Sequence, residues 1–316
     1  MKKLYMLLAA ALVMFMVAGC STSSDPIPGS NDYTSANIGT LKYVPAGSFQ
    51  RDDGPLNIST ISKAFRMSQY EITRNQFLAI MGVDPSDESS STGMTDPVQM
   101  VNWYHAIAFC NKLSIAEHLT PVYSVGGVDF TTLAYAQIPT TLDDEYWNAA
   151  FADWTADGYR LPTEMEWMWA AMGATSDSII SDIDILTGIN TGGYAKPFAG
   201  YNGSNLIGDY TWYSIAGDGT GENSYGTTHP GGTTGHANEL GLYDMSGNAW
   251  EWCWDWWDTY PDGPLLDYKG SNRIQFRILS GGSWFLDASY AAVAYHYGSD
   301  RPSYLDKYYG FRVVRN

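Results

Sequence analysis

The chain has 316 residues, 45% hydrophobic and 15% aromatic, with 12 Trp and 23 Tyr, ample for one large core or two small ones. Acidic residues outnumber basic ones 34 to 17, for a formal charge of −17. An acidic chain without a basic patch speaks against nucleic acid as a partner and against electrostatic docking to anionic lipid; it suits a soluble exported domain.

The opening "MKKLYMLLAAALVMFMVAGC" reads as a leader outside the fold. Lys2 and Lys3 form a positive region, residues 4–18 an apolar one, and Val17-Ala18-Gly19-Cys20 a small-residue cleavage site. A Cys directly after Gly is similar to a bacterial lipobox. The resemblance implies removal of residues 1–19 and diacylation of Cys20; an ordinary signal peptide with an incidental cysteine is the alternative. Cleavage takes away two lysines and leaves the chain more acidic still. No second stretch is long and apolar enough to span a bilayer. Residues 20–36, rich in Ser, Pro and Asp, read as a flexible tether. Globular sequence runs from Asn37 to Asn316 without an internal repeat.

Three helices are expected. Thr73-Arg74-Asn75-Gln76 is a capping-box pattern opening a helix through Met81, stopped by Gly82. Asn102 caps "WYHAIAFCNKLSIAEH", where Trp103, Ile107, Cys110 and Ser114 recur at helical spacing. Thr163 and Glu166 form a second capping box, for a helix reaching Gly173. Beyond it, Gly, Asn, Asp and Thr punctuate short aromatic runs such as "YTWYSI" (210–215), which suits brief strands in long loops. Along Trp250, Trp252, Trp254 and Trp256 the even-numbered rings share one face of a strand and read as core rather than as a sugar-stacking platform. Cys110 and Cys253 lie in apolar sequence and read as buried thiols, with a disulfide as the alternative. The fold class is α+β, with few helices and much irregular structure.

The chain closes with "GGSW" (281–284) and "GFRVVR" (310–315) framing a segment rich in tyrosine and small polar residues. Tyrosine gives contact area at low entropic cost, and Ser, Gly and Asp supply adaptable polarity, the composition of antibody-type binding loops. A strand-and-loop tail whose tyrosines pack on the body is the plainer reading.

Six segments in order, "YEITRNQFLAIMG", "PVQMVNWYHAIAFCNKLS", "DGYRLPTEMEWMWAA", "NELGLYDMSGNAWEWCWDWW", "RILSGGSW" and "GFRVVR", resemble the sulfatase-modifying-factor family, that of the formylglycine-generating enzymes. The resemblance covers residues 41–316 and implies a C-type-lectin-like fold. It also implies a Cys-x4-Cys pair binding copper after the GGS motif, where this sequence has Leu286 and Ala291; copper(I) needs soft thiolates, so no copper is expected. The histidines at 105, 118, 229, 236 and 296 lack the close spacing of the iron-binding sulfoxide-synthase branch. By the same resemblance, Asp244, Gly247, Ala249 and Glu251 match positions that ligate structural calcium, a hard cation suited to oxygen donors. The alternative is that Asp244 caps the turn and Glu251 pairs with an arginine, with no ion bound.

The framed C-terminus further resembles the variable proteins of diversity-generating retroelements, treponemal variable lipoproteins among them. That resemblance implies variation at Phe285, Leu286, Asp287, Ser289, Tyr290, Tyr295, His296, Tyr297, Gly298, Ser299, Asp300, Tyr304, Leu305 and Asp306 within a variable region of about residues 280–316. Between the frames, Lys307 alone represents the five residue types (Lys, Glu, Gln, Met, Trp) that an NNC codon cannot encode. Gly281, Gly282, Ser283, Trp284, Gly310, Phe311 and Arg312 belong to the fixed frame. The expectation is a non-catalytic binding protein on the outer-membrane surface, touching the membrane only through its lipid and recognising a protein or glycan on another cell. The alternatives are a family enzyme with an altered site and an assembly lipoprotein whose C-terminal tyrosines are buried in a partner.

Overall fold

Tyr33–Ser35 forms strand β1, antiparallel to β2 (Gly39–Val44). The computed structural model describes residues 31–215, 224–296 and 298–316; the leader, Cys20, most of the tether and Tyr297 lie outside the described residues. The ordered domain therefore begins before residue 37, a correction to the tether boundary. Polar composition hid this strand because its side chains are used locally. Asp32 pairs with Lys42 (2.5 Å) and accepts from the Tyr43 amide (2.8 Å), and Ser35 Oγ caps the turn at Asn37 and Ile38.

Strand β2 pairs with β5 (Phe65–Ser68), which also carries the C-terminal strand, giving the sheet β1-β2-β5-β13 with β13 at Val314–Arg315. A hairpin of β3 (Gly47–Gln50) and β4 (Ile58–Ile61) gains β9 (Leu265–Leu266), and β6 (Tyr123–Ser124) pairs with β7 (Phe151–Ala152). The fourth sheet orders β11-β10-β8-β12, from β8 (Trp250–Trp256), β10 (Arg277–Ser280), β11 (Ser299–Asp300) and β12 (Tyr309–Gly310).

All three expected helices form. Helix α1 (Arg74–Met81) has the Thr73/Gln76 capping box and ends at Gly82, which takes φ 75°. Helix α2 (Trp103–Ala116) is capped by Asn102, with His105 Nδ1 accepting from the Asn102 amide (3.2 Å); it stops two residues short of His118, which has φ 58°. A one-turn helix α3 (Glu145–Asn148) precedes α4 (Glu164–Ala171), capped by Thr163 and Glu166. Every residue of α4 is buried, so it shows no amphipathic period and only its caps betray it. The run 210–215 is not a strand: Trp212 makes a single bridge to Gly247.

Strand β8 separates two cores. Trp250 and Trp252 face one, with α1 and α2, and Cys253 faces the other, with α4 and β5. The even-numbered tryptophans share a face as the two-residue period requires, and they are packed rather than displayed. Trp103 Nε1 donates to the Cys253 carbonyl (2.9 Å) and Trp252 Nε1 to that of Val101 (3.0 Å), so neither buried indole is left unpaired. Cys110 and Cys253 are buried free thiols.

A candidate binding surface in the C-terminal segment

The segment between the two frames is tied to the β8 sheet at its middle and its end: β11 lies beside β10 and β12 runs parallel to β8, with Tyr309 opposite Trp250. The frame is buried throughout, from Gly281 to Trp284 and from Gly310 to Arg312. Gly281 and Gly282 adopt φ 97° and 78°, and a side chain at Gly282 would meet the Tyr290 carbonyl at 2.8 Å. Glycine is required there on both counts.

Between the frames lies a run of half-buried rings. Tyr290 and Tyr295 pack together (centroids 5.0 Å apart), and both meet Trp250, at 6.4 and 5.9 Å. Two residues along the same face of β8, Trp252 meets Tyr309 (5.4 Å), which meets Tyr304 (6.0 Å). The Tyr309 hydroxyl donates to Asp300 Oδ2 (3.0 Å). Next in the chain, Tyr308 packs on Phe285 (4.7 Å) and Trp284 (5.2 Å), with Lys307 Nζ 5.4 Å from its ring centre. Two ring groups, Tyr290 and Tyr295 on Trp250, and Tyr309 and Tyr304 on Trp252, thus sit at successive same-face positions of β8, and Asp300 joins the second through Tyr309. Asp287 caps a single helical turn at Ala288–Ala291, accepting from Ser289 N (2.9 Å) and Oγ (2.6 Å). Leu286, half-buried, packs on the α1–α2 core, and its carbonyl accepts from Ser214 N (2.8 Å). Ser299 pairs with Ile278 in the β11–β10 ladder, and Leu305 is half-buried.

Charge at this surface is acidic and shifted by its surroundings. Burial raises the Asp306 carboxyl, and the Tyr304 phenol is raised chiefly by Asp306. Burial, then the Asp300 carboxylate, raises the Tyr309 phenol, which stays a hydrogen-bond donor.

Two of the expected variable positions are tightly constrained by the fold. Gly298 is buried, and a Cβ there would lie 2.1 Å from the Leu279 carbonyl and 2.6 Å from Trp250; no other residue fits without displacing backbone. His296 is part of an anchor. Its Nδ1 lies 2.6 Å from Glu164 Oε1 and its Nε2 2.8 Å from the Asp258 carbonyl, with the Tyr260 ring at 3.9 Å. Neither constraint is visible locally, because the partners are far along the chain. Conversely, Tyr308, Tyr309 and Lys307 belong to the surface without having been selected from sequence. Their signal was membership of the same tyrosine-rich run.

Of the four expected calcium donors, Asp244 and Glu251 contribute the side-chain oxygens. Glu251 is fully buried and pairs with Arg312, whose Nε lies 2.8 and 2.7 Å from its two oxygens and Nη2 2.6 Å from Oε1; Trp167 Nε1 donates to Oε2 (2.7 Å). Asp244 Oδ2 accepts from the Gly232 amide (2.6 Å), leaving Oδ1 as a buried oxygen without a partner. Nearby Glu71 accepts from Asn248 Nδ2 (2.7 Å) and the Ala249 amide (2.9 Å). Burial pushes the Asp244 carboxyl up to about 7, and burial with the two neighbouring carboxylates raises Glu71 well above the usual range. Among the described residues no group of three or more His, Cys, Asp or Glu side chains is disposed to hold a metal. Glu251 is thus committed to the Arg312 guanidinium, and of the two side-chain carboxylates in the set Asp244 alone keeps an oxygen without a partner.

A family model described as "Sulfatase-modifying factor enzyme 1-like domain" matches residues 31–316. The chain is 31% identical over 315 residues to "Chaperone protein LppX" of Paenibacillus barcinonensis, covering 96% of this chain and 97% of that protein. It is 32% identical over 149 residues to a formylglycine-generating enzyme of Thermomonospora curvata, covering 46% of this chain and 44% of the enzyme. Among solved structures it is similar to "Treponema denticola variable protein 1", with a TM-score of 0.74 and 34% identity over 90% of this chain and 98% of that one.

Proposed function

The chain belongs to the sulfatase-modifying factor enzyme 1-like family, with the C-type-lectin-like fold of the formylglycine-generating enzymes, and on that premise we propose that it is a non-catalytic binding protein whose C-terminal segment is a diversifiable ligand surface. The observation that carries this reading is the contrast along that segment: buried, sterically constrained frames at both ends, half-buried tyrosines and aspartates between them. A surface of that composition can concentrate binding energy in a few aromatic side chains while its neighbours exclude water. Likeness over nearly the whole chain to a variable protein supports exchangeability of the segment.

Catalysis of the family's oxidative kind is disfavoured by chemistry. Leu286 and Ala291 occupy the positions that the resemblance assigns to the copper thiolates, and neither can ligate copper. The likeness to a relative named LppX supports association with the cell envelope. Cys20 would carry the lipid and place the domain on the outer-membrane surface, facing a protein or glycan of another cell. No helix among the described residues is long and apolar enough to cross a membrane.

The test is a displayed library with NNC codons at Phe285, Asp287, Ser289, Tyr290, Asp300, Tyr304 and Asp306, selected against hen lysozyme as an arbitrary protein target. Most members should fold, and lysozyme binders should be recoverable that differ only at these positions. A library that mostly fails to fold, or yields no binder, refutes the diversifiable surface. In parallel, turnover of a cysteine-containing sulfatase peptide to formylglycine after copper(I) loading would refute the non-catalytic reading.

A further inference from the structure

Outside the C-terminal surface, a cleft of about 110 Å³ opens between the end of β4, Trp154, the start of α4 and residues 267–269. None of its lining residues belongs to the segment 285–306. Three of them are basic, Lys63, Arg160 and Lys269, in a chain where acidic residues outnumber basic ones two to one. Ile61, Trp154 and Tyr268 provide apolar wall.

The cations differ in what they have left to give. Arg160 is buried, and its two terminal nitrogens meet Glu166, at 2.6 and 2.7 Å, but its Nε–H has no acceptor. A buried donor left unpaired costs about 1–3 kcal/mol, so this one is a standing demand for an acceptor. Lys269 donates to the Asp267 carbonyl (2.9 Å) and lies 4.8 Å from the centre of the Trp154 ring. An ammonium has three donors, and among the described residues this one makes no ion pair. Lys63 stands exposed at the rim, also without an ion pair among the described residues. Of the two carboxylates in the lining, Glu166 is neutralised by Arg160 and Asp267 is bound by Ser62 N (2.8 Å) and Oγ (2.5 Å). With Arg160 and Glu166 cancelling, the cleft carries two lysines against one carboxylate, Asp267, beside an aromatic wall.

We propose that this cleft is a second ligand site, taking a small organic carboxylate whose planar or apolar body is no larger than one ring. Size sets the body: at about 110 Å³ the open cleft is smaller than the apolar cavity of about 150 Å³ that encloses benzene. One ring, partly in the mouth, is therefore the upper limit, and drug-sized ligands needing some 300 Å³ or more are excluded. Charge sets the head group: Lys269 and Lys63 address a carboxylate as point charges, while the ring lies along Trp154 and Tyr268.

The experiment is calorimetric titration of the full-length chain in detergent with benzoate and with benzamide, its neutral isostere. Benzoate should bind in the millimolar range expected of a fragment-sized ligand, at least about tenfold tighter than benzamide, and more weakly as salt is raised. Lys269→Met, which keeps the apolar stem, should lose about tenfold. Lys63→Met, at the exposed rim, should lose severalfold without disturbing any packing. Tyr290→Ala should bind benzoate like the parent chain, which separates this site from the C-terminal surface. Equal affinity for benzoate and benzamide, unchanged affinity in both lysine variants, or no binding by about 10 mM benzoate overturns the proposal.

Discussion

Glu251 on β8 and Arg312 in the C-terminal frame form an ion pair of 2.6 Å with both side chains sealed from solvent, at 1% and 0% exposure. Arg312 also donates to the carbonyls of Ser68 (3.2 Å) and Tyr243 (2.9 Å), so one guanidinium ties β8, β5 and the loop before β8 together. Removing one partner of such a pair leaves the other buried and uncompensated, which costs about 3–5 kcal/mol. Arg312→Met should therefore lower stability to chemical denaturation by about that amount. A loss below about 1 kcal/mol, the range of an exposed pair, would show that the pair is not buried in solution. The same pair predicts that calcium chelation leaves the unfolding midpoint unchanged, because the cation balancing Glu251 is already part of the chain. A clear drop in midpoint with chelator, restored by added calcium, would contradict the arrangement.

Cys110 and Cys253 lie in different cores. Burial raises both thiols above their ordinary range, so neither is ionised at neutral pH. Both should resist a thiol reagent in the native state, at neutral and at mildly alkaline pH, and react fully once the chain is denatured. Fast labelling of either in the folded protein would show that its core opens readily.

What the sequence made legible was local. The capping boxes at Thr73 and Thr163 specify helix starts within four residues, and alternation along Trp250, Trp252 and Trp254 specifies one face of β8. The architecture came from ordered motifs instead, since pairings such as β13 with β5 join residues about 250 positions apart. Strand β1 escaped because its residues are polar and its stability lies in a ladder and a capped turn. At the candidate site, composition marked the segment but not the roles within it. Tyr290 and Tyr304 are half-buried or exposed, while His296 and Gly298 are fixed by Glu164, Asp258 and Leu279, distant residues that no local pattern reveals.

His296 gives the anchor a pH signature. Both ring nitrogens face acceptors, Glu164 and the Asp258 carbonyl, and only the imidazolium can donate to both. Burial acts to lower its pKa, but Glu164 through charge and hydrogen bonding outweighs that, with help from Asp258 and Asp255, and the net shift is upward. A histidine raised in the folded state binds its proton more tightly there than in the unfolded chain. Its contribution is complete below the unfolded value near 6.5 and is lost as pH rises through the higher folded value. Asp244 and Glu71, also raised, add a loss in the same direction, so the difference between the parent chain and His296→Gln isolates the histidine. That difference in unfolding free energy should be largest at pH 5–6 and shrink toward alkaline pH. A difference that is flat or grows with pH would show that the imidazolium is not the species held.

Gly298 and Ser289 belong to the same segment and should respond oppositely to the same substitution. Alanine at Gly298 would drive a methyl group to 2.1 Å from the Leu279 carbonyl, at the point where Leu279 N donates to the Gly298 carbonyl (2.8 Å). The clash is with backbone, and Trp250 closes the other side at 2.6 Å, so no rotation of a flexible chain relieves it. Overpacking of that kind costs about 1–3 kcal/mol, occasionally more. Ser289 and Tyr304 are exposed, and alanine at either should change stability by no more than about 0.5 kcal/mol. Denaturant titration of Gly298→Ala, Ser289→Ala and Tyr304→Ala measures all three. If Gly298→Ala is as harmless as the other two, the loop is not seated against β10 and the line between frame and exchangeable surface has been drawn in the wrong place. If all three are costly, the segment is ordinary packed structure, and a surface that must tolerate replacement cannot be built from it.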